Sequence, residues 1–403
     1  MPDVIDKIDP GVARFAEILS KFGEDPRRQR AFDAFASVGI PHRRVENWRW
    51  SDIRAGLKSI DGAAPVAVPA DPFADVLGAV FRFSDKGFQP PAKRPAGVQY
   101  YSKSDAPAFA SAEELPMGAL AAALADDPAA VVIEIAAPLA EPIRLVFDGQ
   151  SDRFHHVAII LREGAQATIL ESCLSGGGFA NAVIEYTLEK GASAERLVMQ
   201  SGGASTVQLH TAKVALAADA RFSQTVYATG SKLCRVETRL VHEGSHSEAI
   251  LNGAYLLGDG YHCDFTSHVR HADEDCKTEQ AVKGAALAGG KGAFQGKFYV
   301  KRGAQRTDAN MQHNALLLED GAEINAKPEL EIYADDVACA HGNTCGALDA
   351  DQLFYLRQRG IPEAEAKALL TRSFVADAFA EISDEALQEL FLDAAHAWLT
   401  EVR

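Results

Sequence analysis

Apolar residues near the start of the chain recur at helical spacing. Val12, Phe15, Ile18, Leu19 and Phe22 stand three and four residues apart and would share one face of a helix. A second helical pattern covers residues 27–38. From residue 56 to residue 116 the periodicity is lost, and Pro65, Pro69, Pro72, Pro90, Pro91 and Pro95 interrupt any regular element. This stretch reads as a long irregular connection with short pieces of structure. Beyond it, residues 131–348 carry short strand-like runs such as Val131-Val-Ile-Glu-Ile135 and Ala182-Val-Ile-Glu-Tyr-Thr-Leu188, with almost no helical period. A turn signature, Gly or Asp followed by Ala, returns at Gly164, Gly191, Asp219, Gly303 and Gly321. The separations of 27, 28 and finally 18 residues predict rungs of unequal length. Such rungs must stack to bury their apolar faces, which makes a β-helix the preferred architecture over a plain antiparallel sandwich. At Asp349 the pattern changes again, because Asp349 and Gln352 form a capping-box pair ahead of Leu353, Phe354 and Leu356, and Gly360 and Pro362 end that helix. Two further amphipathic helices are predicted, one carrying Leu369, Leu370, Phe374, Ala378 and Ile382, the other Leu387, Leu390, Phe391, Ala394, Trp398 and Val402.

The pattern therefore predicts a mainly β protein in three parts. Residues 1–130 form a helical and irregular region, 131–348 the β core, and 349–403 a small helical domain. Composition narrows the function. The chain has 403 residues, 47% of them hydrophobic, and a net charge of −16, so its surface repels nucleic-acid phosphates and anionic lipid. The most apolar stretch, residues 119–125, ends at Asp126 and Asp127 and is too short to span a bilayer. The first residues lack a basic and then apolar signal, which places the protein in the cytoplasm. Six scattered cysteines with no CxxC pair read as reduced thiols rather than a disulfide framework.

Chemistry concentrates in Cys339-Ala-His341-Gly-Asn-Thr-Cys345, where two thiols and an imidazole fall within seven residues, a donor set suited to iron or zinc. On a strand, Cys339 and His341 face the same way. The competing reading is a small buried thiol beside a turn or core histidine. His262, Cys263, His268, His271 and Cys276 form a second group, but strand alternation scatters them over both faces. No phosphate-binding GxxxxGK[ST] loop occurs, so the chain is not expected to hydrolyse ATP, and GxSxG and HExxH are absent. Glu329 and Glu331 alternate with Leu330 and Ile332 and read as a solvated strand face rather than a glycosidase pair.

Three segments carry a resemblance. They are Phe294-Gln-Gly-Lys-Phe-Tyr-Val-Lys-Arg-Gly-Ala-Gln-Arg-Thr-Asp-Ala-Asn310, Lys327-Pro-Glu-Leu-Glu-Ile-Tyr-Ala-Asp-Asp-Val-Ala-Cys-Ala-His-Gly342 and Leu353-Phe-Tyr-Leu-Arg-Gln-Arg-Gly-Ile361. With Gly39-Ile-Pro-His-Arg-Arg-Val-Glu-Asn-Trp-Arg-Trp-Ser-Asp52, they resemble the SufB/SufD family of iron–sulfur cluster assembly proteins. Ala322, where SufB carries a cysteine, and Gly342, where it carries a glutamate, favour the SufD branch. Ala340, Asn343 and the extra thiol Cys345 depart from the family pattern. The resemblance implies a right-handed parallel β-helix flanked by helical domains and a scaffold rather than an enzyme. It also implies pairing with SufB through the terminal β-helix strands and docking of the ATPase SufC on the C-terminal helices. His341 is then the candidate iron or cluster ligand, with Cys339 and Cys345 as weaker candidates. Tyr333, Asp335, Asp336, His341 and Thr344 are candidates for the interface with SufB or with a second copy of the chain. Leu353, Phe354, Arg357, Arg359 and Phe374 are candidates for the ATPase contact. No cofactor is expected to stay on the chain alone; iron or a nascent cluster would be held transiently with SufB, and reduced flavin has been linked to the full complex. A secreted β-helix carbohydrate enzyme and a self-pairing scaffold are the alternative readings.

Overall fold

The computed structural model describes residues 10–102, 114–125 and 130–401. Three helices come first: α1 (Pro10–Leu19), α2 (Pro26–Val38) and α3 (Ile53–Ile60). The strands begin with β1 (Ala79–Ser84), β2 (Gly87–Gln89) and β3 (Val98–Ser102), followed by α4 (Pro116–Leu124). The run then continues through β4 (Ala130–Ile135), β5 (Ile143–Gly149), β6 (Arg153–Leu161), β7 (Gln166–Ser175), β8 (Gly178–Leu188), β9 (Ser193–Gly202) and β10 (Thr206–Leu216). Next come β11 (Arg221–Gly230), β12 (Leu233–His242), β13 (Glu248–Leu257), β14 (His262–His271), β15 (Lys277–Ala286) and β16 (Lys291–Val300). The last strands are β17 (Asp308–Leu317), β18 (Glu323–Ile332) and β19 (Ala338–Gly346), and the chain ends in α5 (Ala350–Gln358), α6 (Glu363–Ala376) and α7 (Glu385–Glu401).

Successive strands from β4 onward alternate between two sheets, and each pairs in parallel with the strand two places along the chain. The result is a parallel β-solenoid of about eight turns, as the rung pattern predicts. Inward residues such as Ile159, Ile184, Val214, Phe222 and Phe298 fill the space between the sheets. Each rung covers the apolar side chains of its neighbours.

One corner explains the repeat. Gly164, Gly191, Asp219, His246, Asp275 and Arg306 all have positive φ, and each donates its N–H to a carbonyl of the next rung, Gly191 to Ala218 and Arg306 to Asp336 for example. Glycine reaches that left-handed conformation without a Cβ penalty, whereas the later corners use side chains that adopt it at some cost. Gly303 and Gly321 are not members of this ladder. Gly321 lies at another corner, where its carbonyl accepts from Gly289, so the 18-residue separation measures the gap between two different corners.

The sheets also extend further towards the N-terminus than the sequence pattern indicates. β1 pairs with β5, and β3 pairs antiparallel with β4, within the stretch expected to be irregular. Phe81 and Phe83 alternate inward there, but the neighbouring prolines and glycines hide so short a period.

Helices cover both outer faces. α1, α2 and α4 pack on Phe154, Phe179, Val207, Leu209 and Leu233 of one sheet. α6 and α7 pack on Leu197, Met199, Tyr227 and Leu256 of the other. Asp349 caps α5 by accepting from the N–H groups of Asp351 and Gln352, and Gly360 ends it with positive φ. α6 stops at Ala376, before the predicted stripe runs out; Ala378 lies in a 3-10 turn and Ile382 beyond it, both still buried. Apolar spacing persists through the turn because the turn also faces the solenoid. Asp126, Asp127 and Val402 lie outside the described residues. Among the described residues no helix is long and apolar enough to cross a membrane.

Candidate functional site

The two ends of the solenoid differ. At the N-terminal end, antiparallel β2 and β3 finish the sheets. At the other end β19 and β18 are the last strands of their sheets, and no described strand pairs beyond them. β19 is exposed along almost its whole length.

Register assigns the side chains of this last rung. Cys339, His341, Asn343 and Cys345 align with Ala309, Met311, His313 and Ala315, the inward positions of β17. All four therefore continue the solenoid's interior face. Ile324, Ala326, Pro328, Leu330 and Ile332 align with the inward positions of β16, so the opposing wall of the open mouth is apolar. Glu329 and Glu331 lie on the outer face, and Lys297 and Lys327 pair with them.

Beneath His341 the polar groups are ordered. Asn343 Oδ1 accepts from His313 Nδ1 at 2.7 Å, and His313 Nε2 lies 2.9 Å from the Tyr255 hydroxyl. Burial pulls His313 down to about 4, so the ring is neutral at physiological pH. His341 and Cys345 are exposed and Cys339 is half-buried; burial raises both thiols. Cys339, His341 and Cys345 share a face but do not converge into one coordination sphere. Among the described residues no three such donors converge at this rung, so a metal site of three or more such side-chain ligands here needs donors from elsewhere.

The other candidates are dispersed. Tyr333, Asp335, Asp336 and Thr344 are exposed around the same end, with the Tyr333 ring tilted against Tyr299 at 5.4 Å and the Thr344 hydroxyl accepting from Asn314. α5 has no buried residue: Phe354 is 63% exposed, Arg357 pairs with Glu363 and Arg359 lies over the Tyr355 ring. Leu353 is half-buried, and Phe374 packs inward with the Lys283 ammonium over its ring. In the second histidine and cysteine group, Cys263 and His271 face inward, His262 and His268 outward, and Cys276 sits at a corner. Alternation scatters them as expected.

Two buried clusters are invisible to local spacing. In the first, the N-terminal motif docks on the solenoid. The Arg235 guanidinium lies 3.9 Å over the Trp48 ring, donates to the Asn47 carbonyl and pairs with Asp264 at 2.9 Å. Ser51 also bonds Asp264, and Glu46 reaches Lys327 on β18. In the second, the donor atoms of Glu171, Cys173 and His210 lie within 4.8 Å of one another inside the solenoid. Arg196 holds Glu171 through two bonds of 2.7 Å, and the Tyr186 hydroxyl donates to the same carboxylate. Burial would raise the Glu171 carboxyl, but Arg196 and His210 hold it well below the usual range. A glutamate inside the apolar run Thr168–Leu174 was the one sequence signal of this cluster.

The chain is thus a parallel β-solenoid with an exposed terminal rung at one end and helices on both outer faces. Comparison with known proteins assigns this solenoid to a family. Residues 146–374 match the family described as SUF system FeS cluster assembly, SufBD core domain. The chain is 27% identical to the iron–sulfur cluster assembly protein SufD of Escherichia coli over 389 residues, 91% of each chain. It is also 27% identical to an iron–sulfur cluster assembly SufBD family protein of Mycobacterium tuberculosis, over 89% of this chain and 88% of the relative. A SufBD family protein of Synechocystis is 25% identical over 90% and 88% of the two chains. The chain belongs to the SufB/SufD family and is SufD-like within it.

Proposed function

We propose that this chain is the non-ATPase, SufD-type scaffold subunit of a SUF complex, pairing with a SufB through β18 and β19 and docking the ATPase SufC through α5 and α6. The observation that carries this reading is the last rung. Its strand edges have no described neighbour, and an edge of that kind is a template for β-augmentation by a partner. Pairing there sets His341 at the seam, where a neutral imidazole can hold iron or a nascent cluster as cargo while the partner supplies softer thiolate ligands. Capture of the tagged chain with SufB and SufC of the same organism, followed by native mass measurement, tests it. A complex with one copy of each β-helix protein and two of the ATPase supports the reading. A folded chain that captures neither opposes it, and a lone homodimer favours the self-pairing scaffold.

His341 gives a sharper expectation. His341→Ala should leave the complex assembled, because an exposed side chain contributes within about 0.5 kcal/mol of stability. Cluster formation should fall by roughly tenfold or more. Unchanged cluster yield removes His341 from the mechanism.

The ATPase contact rests on α5. An exposed phenylalanine on a helix with no buried residue is a natural anchor for a partner pocket. Phe354→Asp should weaken SufC capture by roughly tenfold or more without lowering the thermal midpoint of the isolated chain. Arg357 and Arg359 supply charge at the rim. Equal capture by the variant assigns α5 another role.

A further inference from the structure

Beside His341, the last rung holds an amide whose orientation is fixed from below. Asn343 lies two residues further along β19 on the same interior face, roughly 6.6 Å away at strand spacing. Its oxygen bonds His313 Nδ1 at 2.7 Å, and His313 Nε2 lies 2.9 Å from the Tyr255 hydroxyl. His313 and Tyr255 are fully buried. Phe294 stacks flat on the His313 ring at 4.7 Å, and the Tyr255 ring occupies space that a Cβ on Gly284 or Gly292 would fill. The buried end of this chain of bonds is therefore rigid.

Proton counting sets its direction. Burial keeps the Tyr255 hydroxyl protonated, and His313 Nε2 is its one hydrogen-bond partner among the described residues. When the hydroxyl donates to Nε2, the imidazole proton sits on Nδ1 and points at an acceptor, the Asn343 carbonyl oxygen. The reverse order, with the amide turned over, strands the phenolic proton in a dry interior without a bond. With Oδ1 held on His313, the amide nitrogen turns away from it. Asn343 is exposed, and that nitrogen has no partner among the described residues.

The mouth around this N–H is poor in other donors. The facing wall, from Ile324 to Ile332, is apolar, and Cys339 and Cys345 offer only sulfur, a weak donor. An anionic sulfur brought to such a mouth loses water, and a donor already held in place costs no ordering when it arrives.

We propose that Asn343 donates a hydrogen bond to an iron-bound sulfide of the cargo at His341, with His313 and Tyr255 as its positioning residues. The proposal rests on the SufD reading above and adds a contact to sulfur to the contact with iron. Hydrogen bonds to cluster sulfurs stabilise the reduced, more negative state. Asn343 thereby raises the reduction potential of the cluster and slows its loss from the seam.

The first test needs no cargo. Nitrogen NMR of the isolated chain with labelled histidine reads the His313 tautomer. A proton on Nδ1 is expected; an Nε2 proton with bare Nδ1 means that the amide is turned over, which overturns the proposal. The second test uses the complex with SufB and SufC, reconstituted anaerobically with ferrous iron and sulfide. Asn343→Leu should make the cluster's reduction potential more negative and speed its loss to a chelator by roughly tenfold. Tyr255→Phe, which lies below the open rung, should move the potential the same way by less, because it lets the amide turn. A His341-dependent cluster with the same potential in wild type and Asn343→Leu overturns the role of Asn343 and leaves the SufD reading standing. A wild-type complex that holds no cluster, or holds one that survives His341→Ala, overturns the placement at His341 and this bond with it. Should Asn343→Leu not assemble, the tautomer decides alone.

Discussion

Asp264→Ala is expected to destabilise the chain by about 3 kcal/mol, more than any surface substitution. Asp264 is fully buried and Arg235 is 1% exposed. Around them, Ser51 and Gln295 donate to the same carboxylate, and Trp48 covers the guanidinium. Removing the carboxylate leaves a buried cation short of its partner. Glu237 still pairs with Arg235, which holds the loss to the lower end of the range for broken buried pairs. The damage should also be local in kind, because this network fastens the N-terminal motif to the outward face of the sheet that contains β12 and β14. Urea unfolding followed by tryptophan fluorescence reads both effects, since Trp48 sits at the clamp. Pairing the change with Arg235→Met should recover part of the loss in a double-mutant cycle. A shift below about 1 kcal/mol would show that the motif is held by apolar contacts alone.

Acid should unfold the protein well above the carboxylate range. Burial, aided by Arg153 and His210, pulls His155 down to about 3, and burial takes His271 and His313 to about 4. Above the ordinary histidine value of about 6.5, folded and unfolded chains hold equally few protons, and the full stability is present. As pH falls below that value the unfolded chain takes up protons that the folded chain refuses, so stability is lost progressively down to the folded values near 4 and 3. Each such histidine contributes about 1.4 kcal/mol per pH unit, so the three together contribute about 4. Urea midpoints at pH 7.5, 6.5 and 5.5 check this, with little change over the first step and a large fall over the second. A flat profile to pH 5.5 would show that water reaches the rings.

Alternation and turn chemistry made the solenoid legible, and the limits of that legibility are physical. The corner ladder is visible while it uses Gly164, Gly191 and Asp219, then disappears from the sequence when His246, Asp275 and Arg306 hold the same left-handed φ. Backbone geometry persisted there while residue type did not. His341 was reached through resemblance and period-2 alternation, which also places it on one face with Cys339. Neither the Arg235 clamp nor the Glu171 cluster could be read the same way. Their members lie 39 residues apart for Glu171 and His210, and 188 for Asn47 and Arg235, brought together only by stacking rungs and docking the N-terminal segment.

The unequal ends of the solenoid bear on how long the folded chain survives. In a linear stack each turn is stabilised by its neighbours, and β19 has a neighbour on one side only. Amide hydrogen exchange should therefore be fastest at β18 and β19 and slow towards the helix-covered middle. Any protein that supplies the next strand binds the folded chain and not the unfolded one, and so raises its stability by mass action. Chains made in excess of that protein would fray from the bare end and become substrates for proteolysis, which would match subunit numbers without a dedicated regulator.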